Sequence, residues 1–355
     1  MLRDALLNAG ANFGKIGCAE FAADFGDAEK ELELLRTSAA VADFSFYRKY
    51  SYCESGGAEF LDGLLPADIL KLRYGRVCDT FLADGDGRVE AEVFAANIDD
   101  KIFALCETSR AGIGAAFASD GNGFEDISDS WSLLSVDGPS AWKVARDAFG
   151  DDVLNLSYLS VEKYEFEGFF AYLSRMGKTG EFGYQVLLEN RHAERMFSAL
   201  LDCARSCGGG AAGMKAHFAA RMRGNFFNVF AEGDAVGNPL ELGLQWMIDF
   251  GKDSFRGSGP IFENRKNGVS RKLAAVVSDS PLAPGCGIFN AGERVGTVVA
   301  ADSAGGENIA LALFKSGFEY PGFDWSAEPD GARTIRTLSR PTFLAESLVR
   351  GMDGV

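Results

Sequence analysis

One stretch constrains this chain more than any other: Arg175-Met176-Gly177-Lys178-Thr179-Gly180-Glu181-Phe182-Gly183-Tyr184-Gln185-Val186. Phe169-Phe170-Ala171-Tyr172-Leu173 before it reads as a buried strand. Tyr184-Gln185-Val186-Leu187-Leu188 reads as a second strand, and a helical pattern runs from Glu189 to about Cys207. The glycines at 177, 180 and 183 allow positive φ and let another group approach the backbone closely. Lys178 and Glu181 stand among them as opposite charges on a tight connection. Two readings stay open: a charged hairpin turn, or a loop built to meet a ligand, since its second strand leads straight into a helix.

Composition narrows the partners. At 355 residues the chain exceeds one usual core, so two or three units are expected. Hydrophobic content of 47% with 24% charged residues belongs to a folded globular protein. A net charge of −16 argues against nucleic acid or an anionic membrane as partner. No apolar run approaches the ~20 residues that span a bilayer. Met1-Leu2-Arg3-Asp4-Ala5-Leu6 lacks a basic start followed by an apolar core, so the expected compartment is the cytoplasm. Seven scattered cysteines without a Cys-x-x-Cys pair read as free thiols in a reducing compartment. Only His192 and His217 are present, so a His-rich metal site is untenable and no metal is expected. Few options remain for a Ser–His or Cys–His nucleophile. Chemistry in this chain would run on carboxylates, amides and a bound cofactor.

Along the chain, residues 27–38 form a helix with Asp27 as N-cap. A strand then alternates through Tyr47, Lys49, Ser51 and Cys53. Asp84-Gly85-Asp86-Gly87 joins two alternating strands as a hairpin. A strand over 101–105, a helix over about 108–118, a strand over 131–136 and a helix from Pro139 to about Phe149 follow. Single helices between short, hairpin-joined strands suggest an α+β fold of split β-α-β layers. Gly208-Gly209-Gly210-Ala211-Ala212-Gly213 follows a helix, whereas a phosphate loop follows a strand, so nucleotide binding is not read from it. Beyond about 265, short strands near 273–277, 294–299, 309–313 and 332–335 read as a small β-barrel or sandwich. The expected units are 1–264 and 265–355, with the boundary in the charged 263–272 segment and Gly268.

These residues converge on one family. The opening stretch resembles the Arg-x-Gly-Tyr-Thr-Gly-Glu-x-Gly-x-Glu motif of the glycine cleavage system T-protein (aminomethyltransferase) family. Pro239-Leu240-Glu241-Leu242-Gly243-Leu244-Gln245-Trp246 is similar to its Pro-x-Glu-x-Gly-Leu-x-Trp, and Asp253-Ser254-Phe255-Arg256-Gly257 to the Asp-Phe-x-Gly that follows. Asp43-Phe44-Ser45, Gly75, Gly138-Pro139 and Gly296-Thr297-Val298 fall at matching distances, so the resemblance covers essentially the whole chain. It implies a folate-binding region of two intertwined subdomains followed by a C-terminal β-barrel. It also implies a tetrahydrofolate-dependent aminomethyl or methyl transferase, served by a small amine or methyl donor or a lipoyl-carrier protein.

Carried over position by position, the resemblance makes Glu92 the reacting carboxylate, where the family has the second Asp of an Asp-Asp pair, with Ala91 at the first. Asp79, in place of a Tyr, is the second catalytic candidate. Gln185 stands where a Glu grips the pterin. Its amide offers one acceptor and one donor to two adjacent N–H donors, a mismatch of roughly 1–3 kcal/mol that would weaken folate binding about ten- to a hundredfold. Tyr184, Glu181 and Lys178 (in place of a Tyr) complete the binding candidates on this stretch. Further along stand Arg221, Trp246 and His217, the last in place of an Arg. The changes at Ala91, Gln185, His217 and Cys106 also suit a rival: a folate-fold scaffold acting as sensor or assembly factor, with its cavity closed by Phe46, Phe218 or the 208–213 loop.

Overall fold

The computed structural model describes residues 1–331 and 333–352. Its N-terminal part is built from two sheets facing each other, with helices on their outer sides. The first sheet has the spatial order Val161–Phe166, Phe169–Ser174, Gly183–Glu189, Trp131–Asp137, Ala40–Asp43 and Gly210–Ala211. Only the last pair is parallel. The second runs Arg76–Ala83, Val89–Ile98, Lys101–Glu107, Arg48–Cys53 and Glu125–Asp126, antiparallel throughout. The central strands show two faces to two different cores, because successive side chains alternate. On the first sheet Leu134, Val136, Tyr184, Val186 and Leu188 pack under the helices Ala141–Phe149 and Asn190–Ser206. On the second, Ala91, Val93, Ile102 and Ala104 pack under Glu54–Leu64. The remaining faces meet in one inter-sheet core that holds Leu133, Leu187 and Met176 from one side and Val77, Phe94 and Leu105 from the other.

Toward the C-terminal end the chain forms a closed six-stranded barrel of Arg271–Ser278, Asn308–Lys315, Glu293–Asp302, Gly287–Asn290, Asp324–Ser326 and Thr334–Leu338. The expected α+β class and the C-terminal barrel are therefore present. Of the strand expected over 332–335, Ala332 lies outside the described residues. No helix among the described residues is long and apolar enough to cross a membrane.

Two local expectations are corrected. The helix read over 108–118 is only a 3₁₀ turn, Ala111–Ile113, and one α-turn, Gly114–Phe117, since Gly112 and Gly114 weaken a helix of that length. The 208–213 run does not close a cavity. Its Gly210–Ala211 pair adds a parallel strand beside Ala40 and Val41, and a Cβ at Gly209 would collide with the Ala39 carbonyl. Strand Val89–Ile98 is buried along nearly its whole length, and Glu92 with it.

Candidate functional site

The site lies where the polar positions of the two sheets face the inter-sheet core. Residues Asp99 and Asp100 form a two-residue turn with φ of 53° and 56°. That turn sets the register of the following strand so that Glu92 stands directly opposite Glu107. Both side chains are 2% exposed. Two like charges side by side in a dry core would be untenable without a cation, and Lys178 supplies it. Its ammonium reaches across from the connection between Phe169–Ser174 and Gly183–Glu189, donating to Glu92 Oε2 and, at 2.5 Å, to Glu107 Oε2. Asn228 Nδ2 donates to the other Glu107 oxygen at 3.1 Å. Asp79 lies on the same face of the neighbouring strand, and its buried Oδ1 has no hydrogen-bond partner among the described residues.

The charge balance of this cluster is unequal: three carboxylates share one ammonium. Burial raises the Glu92 carboxyl well above the usual glutamate range, although Lys178 pulls it back. Burial also pushes Asp79 up to about 7, with Glu107 adding to the rise and Lys178 opposing it. Burial works against the Lys178 ammonium, but Glu107 and Glu92 outweigh it and hold the charge. Burial and the shortage of cations thus favour the protonated form of a carboxyl in this cluster, the kind of group a general acid or base draws on.

On the opposing sheet, Gln185 and Asp137 share the inner face with Leu187 and Leu133. Gln185 Oε1 and Asp137 Oδ1 are buried acceptors without partners among the described residues. Asp137 accepts from Ser135 Oγ, and burial pushes it up to about 7. It lies against the glycine loop, since a Cβ on Gly183 would meet its Oδ1 at 2.7 Å and one on Gly177 would meet it too. That is why two of the three glycines are there: the loop can cross a carboxylate only without side chains.

The other expected residues are dispersed. Tyr184, on the strand that carries Gln185, points to the opposite face and is buried in the core under the helices, so it does not share the site. Glu181 leaves Lys178 altogether and accepts from the backbone N–H groups of Glu346 and Ser347, both at 2.8 Å. Arg221 is buried in an ion pair with Glu232, and Asn228 N donates to the same Glu232 oxygen at 3.0 Å. Its charge is therefore already committed. His217 sits edge-on to Phe44 at 5.0 Å and is driven down to about 3 by burial. It is neutral and does not replace an arginine. Trp246 is 62% exposed and lines a surface cavity of about 210 Å³ with Glu232 and Arg340. Phe46 and Phe218 do cluster with Phe21, Phe44, Tyr47 and Phe230 beside the inter-sheet core, yet both remain half-buried.

Glu107, Asn228 and Asp137 were not among the sequence candidates. Glu107 was legible, because a two-residue turn at 99–100 counts back to pair it with Glu92. Asn228 and Asp137 carry no such signal.

The model of the GCVT N-terminal domain matches residues 2–252. The aminomethyltransferase of Thermotoga petrophila is 28% identical over 297 residues, 80% of each chain. That of Deinococcus deserti is 28% identical over 335 residues, 89% of this chain and 88% of its own. The crystal structure of glycine cleavage system aminomethyltransferase T from Bartonella henselae superposes with a TM-score of 0.84 at 20% identity, over 96% of this chain and 97% of that one, and shares the fold. The match over most of the length and the facing-sheet architecture together place this chain in the GCVT family, that of the glycine cleavage T-protein.

Proposed function

We propose that this chain is a tetrahydrofolate-dependent one-carbon transferase whose reacting carboxylate is Glu92. The observation that carries the reading is the buried Glu92–Lys178–Glu107 cluster, which retains a carboxylate at the family's reactive position and supports it from three elements. The residues present fit a pterin. Its ring edge offers N–H donors, and Gln185 Oε1, Asp137 Oδ1 and Asp79 Oδ1 are buried acceptors without a donor among the described residues. Tetrahydrofolate, when bound, would supply the nucleophilic nitrogen. Gln185 and Asp137 would hold the ring, and the closed inter-sheet core would exclude water. Glu92 would orient the attacking nitrogen and exchange its proton, while Lys178 keeps the neighbouring carboxylates from repelling each other.

The related aminomethyltransferases support an aminomethyl unit from a carrier or a small amine as donor. Arg221, His217 and Tyr184 have no part in this reading. Free cysteines throughout support a reducing compartment, the cytoplasm. A scaffold that has lost its chemistry is not favoured, because losing it would remove the reason to keep three carboxylates and a lysine in a dry core at the cost such burial carries.

The test is calorimetric titration of the protein with tetrahydrofolate beside a Gln185→Glu variant, followed by turnover of Glu92→Gln with an aminomethyl donor. Expected are binding by the wild type, tightening of about ten- to a hundredfold in Gln185→Glu, and loss of turnover in Glu92→Gln without loss of binding. Absence of binding in both proteins, or unchanged turnover in Glu92→Gln, would sink the reading.

A further inference from the structure

Lys178 and Glu181 lie three residues apart on one loop, yet they serve opposite sides of it. Lys178 is turned inward onto Glu92 and Glu107. Glu181 forms no ion pair among the described residues, and both of its oxygens are taken by backbone N–H groups of the C-terminal helix Glu346–Arg350. That helix has Ala345 at its N-cap, which has no side-chain acceptor for the first free N–H groups. Glu181 supplies from a distance what Ala345 lacks.

Other contacts fasten the same segment to the same loop. A Cβ at Gly180 would meet the Phe343 ring at 3.1 Å. The Arg36 guanidinium lies over that ring, 5.3 Å from its centroid. Thr342 N donates to the Arg223 carbonyl at 2.9 Å, and the following Gly224 lies under the Thr179 carbonyl. Segment 341–350 has no hydrogen bond or ion pair with Glu92, Glu107 or Lys178 among the described residues, and its hydrogen bonds to the loop run through Glu181.

We propose that segment 341–350 is a strap that acts through Glu181 to hold the 177–182 loop, and with it Lys178, on the buried carboxylates. Glu181 is thereby a positioning residue. It sets the cation that Glu92 and Glu107 share, without touching substrate itself. The importance of this for transfer rests on the proposed role of Glu92, but the strap itself can be tested without folate.

The test reads the acetylation rate of Lys178 by N-hydroxysulfosuccinimide acetate, followed by peptide mass spectrometry on the full chain. Glu181→Ala removes the acceptor. Glu346→Pro removes one donor and suits the backbone, since Ala345 before it is extended (φ −65°, ψ 133°) and the first helical position tolerates proline. Each variant should label Lys178 at least about tenfold faster than wild type, the factor expected from losing one hydrogen bond to a charged group. The double variant should be no faster than Glu181→Ala alone, because both break one link. Lys49 is fully buried, with its ammonium on the Ser45 and Tyr47 carbonyls, and should stay unlabelled, which separates loop release from unfolding. Where Glu181→Ala unfolds, Glu181→Gln keeps the shape and one acceptor and should still raise the rate. Lys178 labelling at the wild-type rate in the folded variants, or additive effects in the double variant, would overturn the proposal. Tetrahydrofolate titration of the same proteins shows separately whether the transferase reading holds.

Discussion

Replacing Lys178 with methionine isolates the electrostatics of the site, because the side-chain stem is kept and only the ammonium goes. Lys178 is 10% exposed and its two partners 2%, so solvent screens little of the interaction. Without it, Glu92 and Glu107 face each other across adjacent strands in a dry core, and the folded protein must take up one more proton than wild type. The ordinary glutamate value is 4.5, about 2.5 units below pH 7. At ~1.4 kcal/mol per unit, holding that proton costs on the order of 3 kcal/mol at pH 7 and less than about 1 kcal/mol at pH 5. The sign follows from linkage: a carboxyl raised in the folded state loses stability as pH climbs from its unfolded value towards its folded one. The Lys178→Met deficit should therefore widen with pH. Urea unfolding of both proteins at pH 5 and pH 7, followed by tryptophan fluorescence, measures it directly. A deficit equal at the two pH values would mean that Lys178 contributes packing, not charge, and no deficit at either would mean that the cluster does not exist in solution.

Two more outcomes follow from neighbouring residues. Asp137 is fully buried and pushed from 3.8 up to about 7. Wild type should lose about 1.4 kcal/mol per pH unit between roughly pH 4 and 7 on its account, and Asp137→Asn should flatten that part of the stability profile. Tyr184 is buried on the face away from the site, its hydroxyl without a hydrogen-bond partner among the described residues. Tyr184→Phe should leave the tetrahydrofolate dissociation constant within about twofold and stability equal or higher, since an unsatisfied buried hydroxyl costs roughly 1–3 kcal/mol. A large loss of folate affinity in Tyr184→Phe would show that the strand presents its other face to the ligand.

The sequence by itself determined the elements whose cause is local. Asp27 caps its helix by accepting from Lys30 N, the Asp-Gly hairpin at 84–87 forms as its residues require, and short strands follow beyond 265, whose closure into a barrel rather than a sandwich the structure decides. Strand alternation likewise separates Tyr184 from Gln185, a consequence readable from adjacent positions. Resemblance carried the family and drew attention to Glu92 and Lys178 as single positions.

Tertiary structure alone decided what those positions are for. Lys178 and Glu181 look equivalent on a turn, but one meets two carboxylates from strands more than seventy residues earlier and the other meets a helix 165 residues later. Arg221 reads as a free cation until Glu232 is seen beside it. The physical reason is that a charge takes its role from whatever shares its dry environment. Burial and opposing charge act over a few ångströms in space, and in this fold residues that close are distant along the chain.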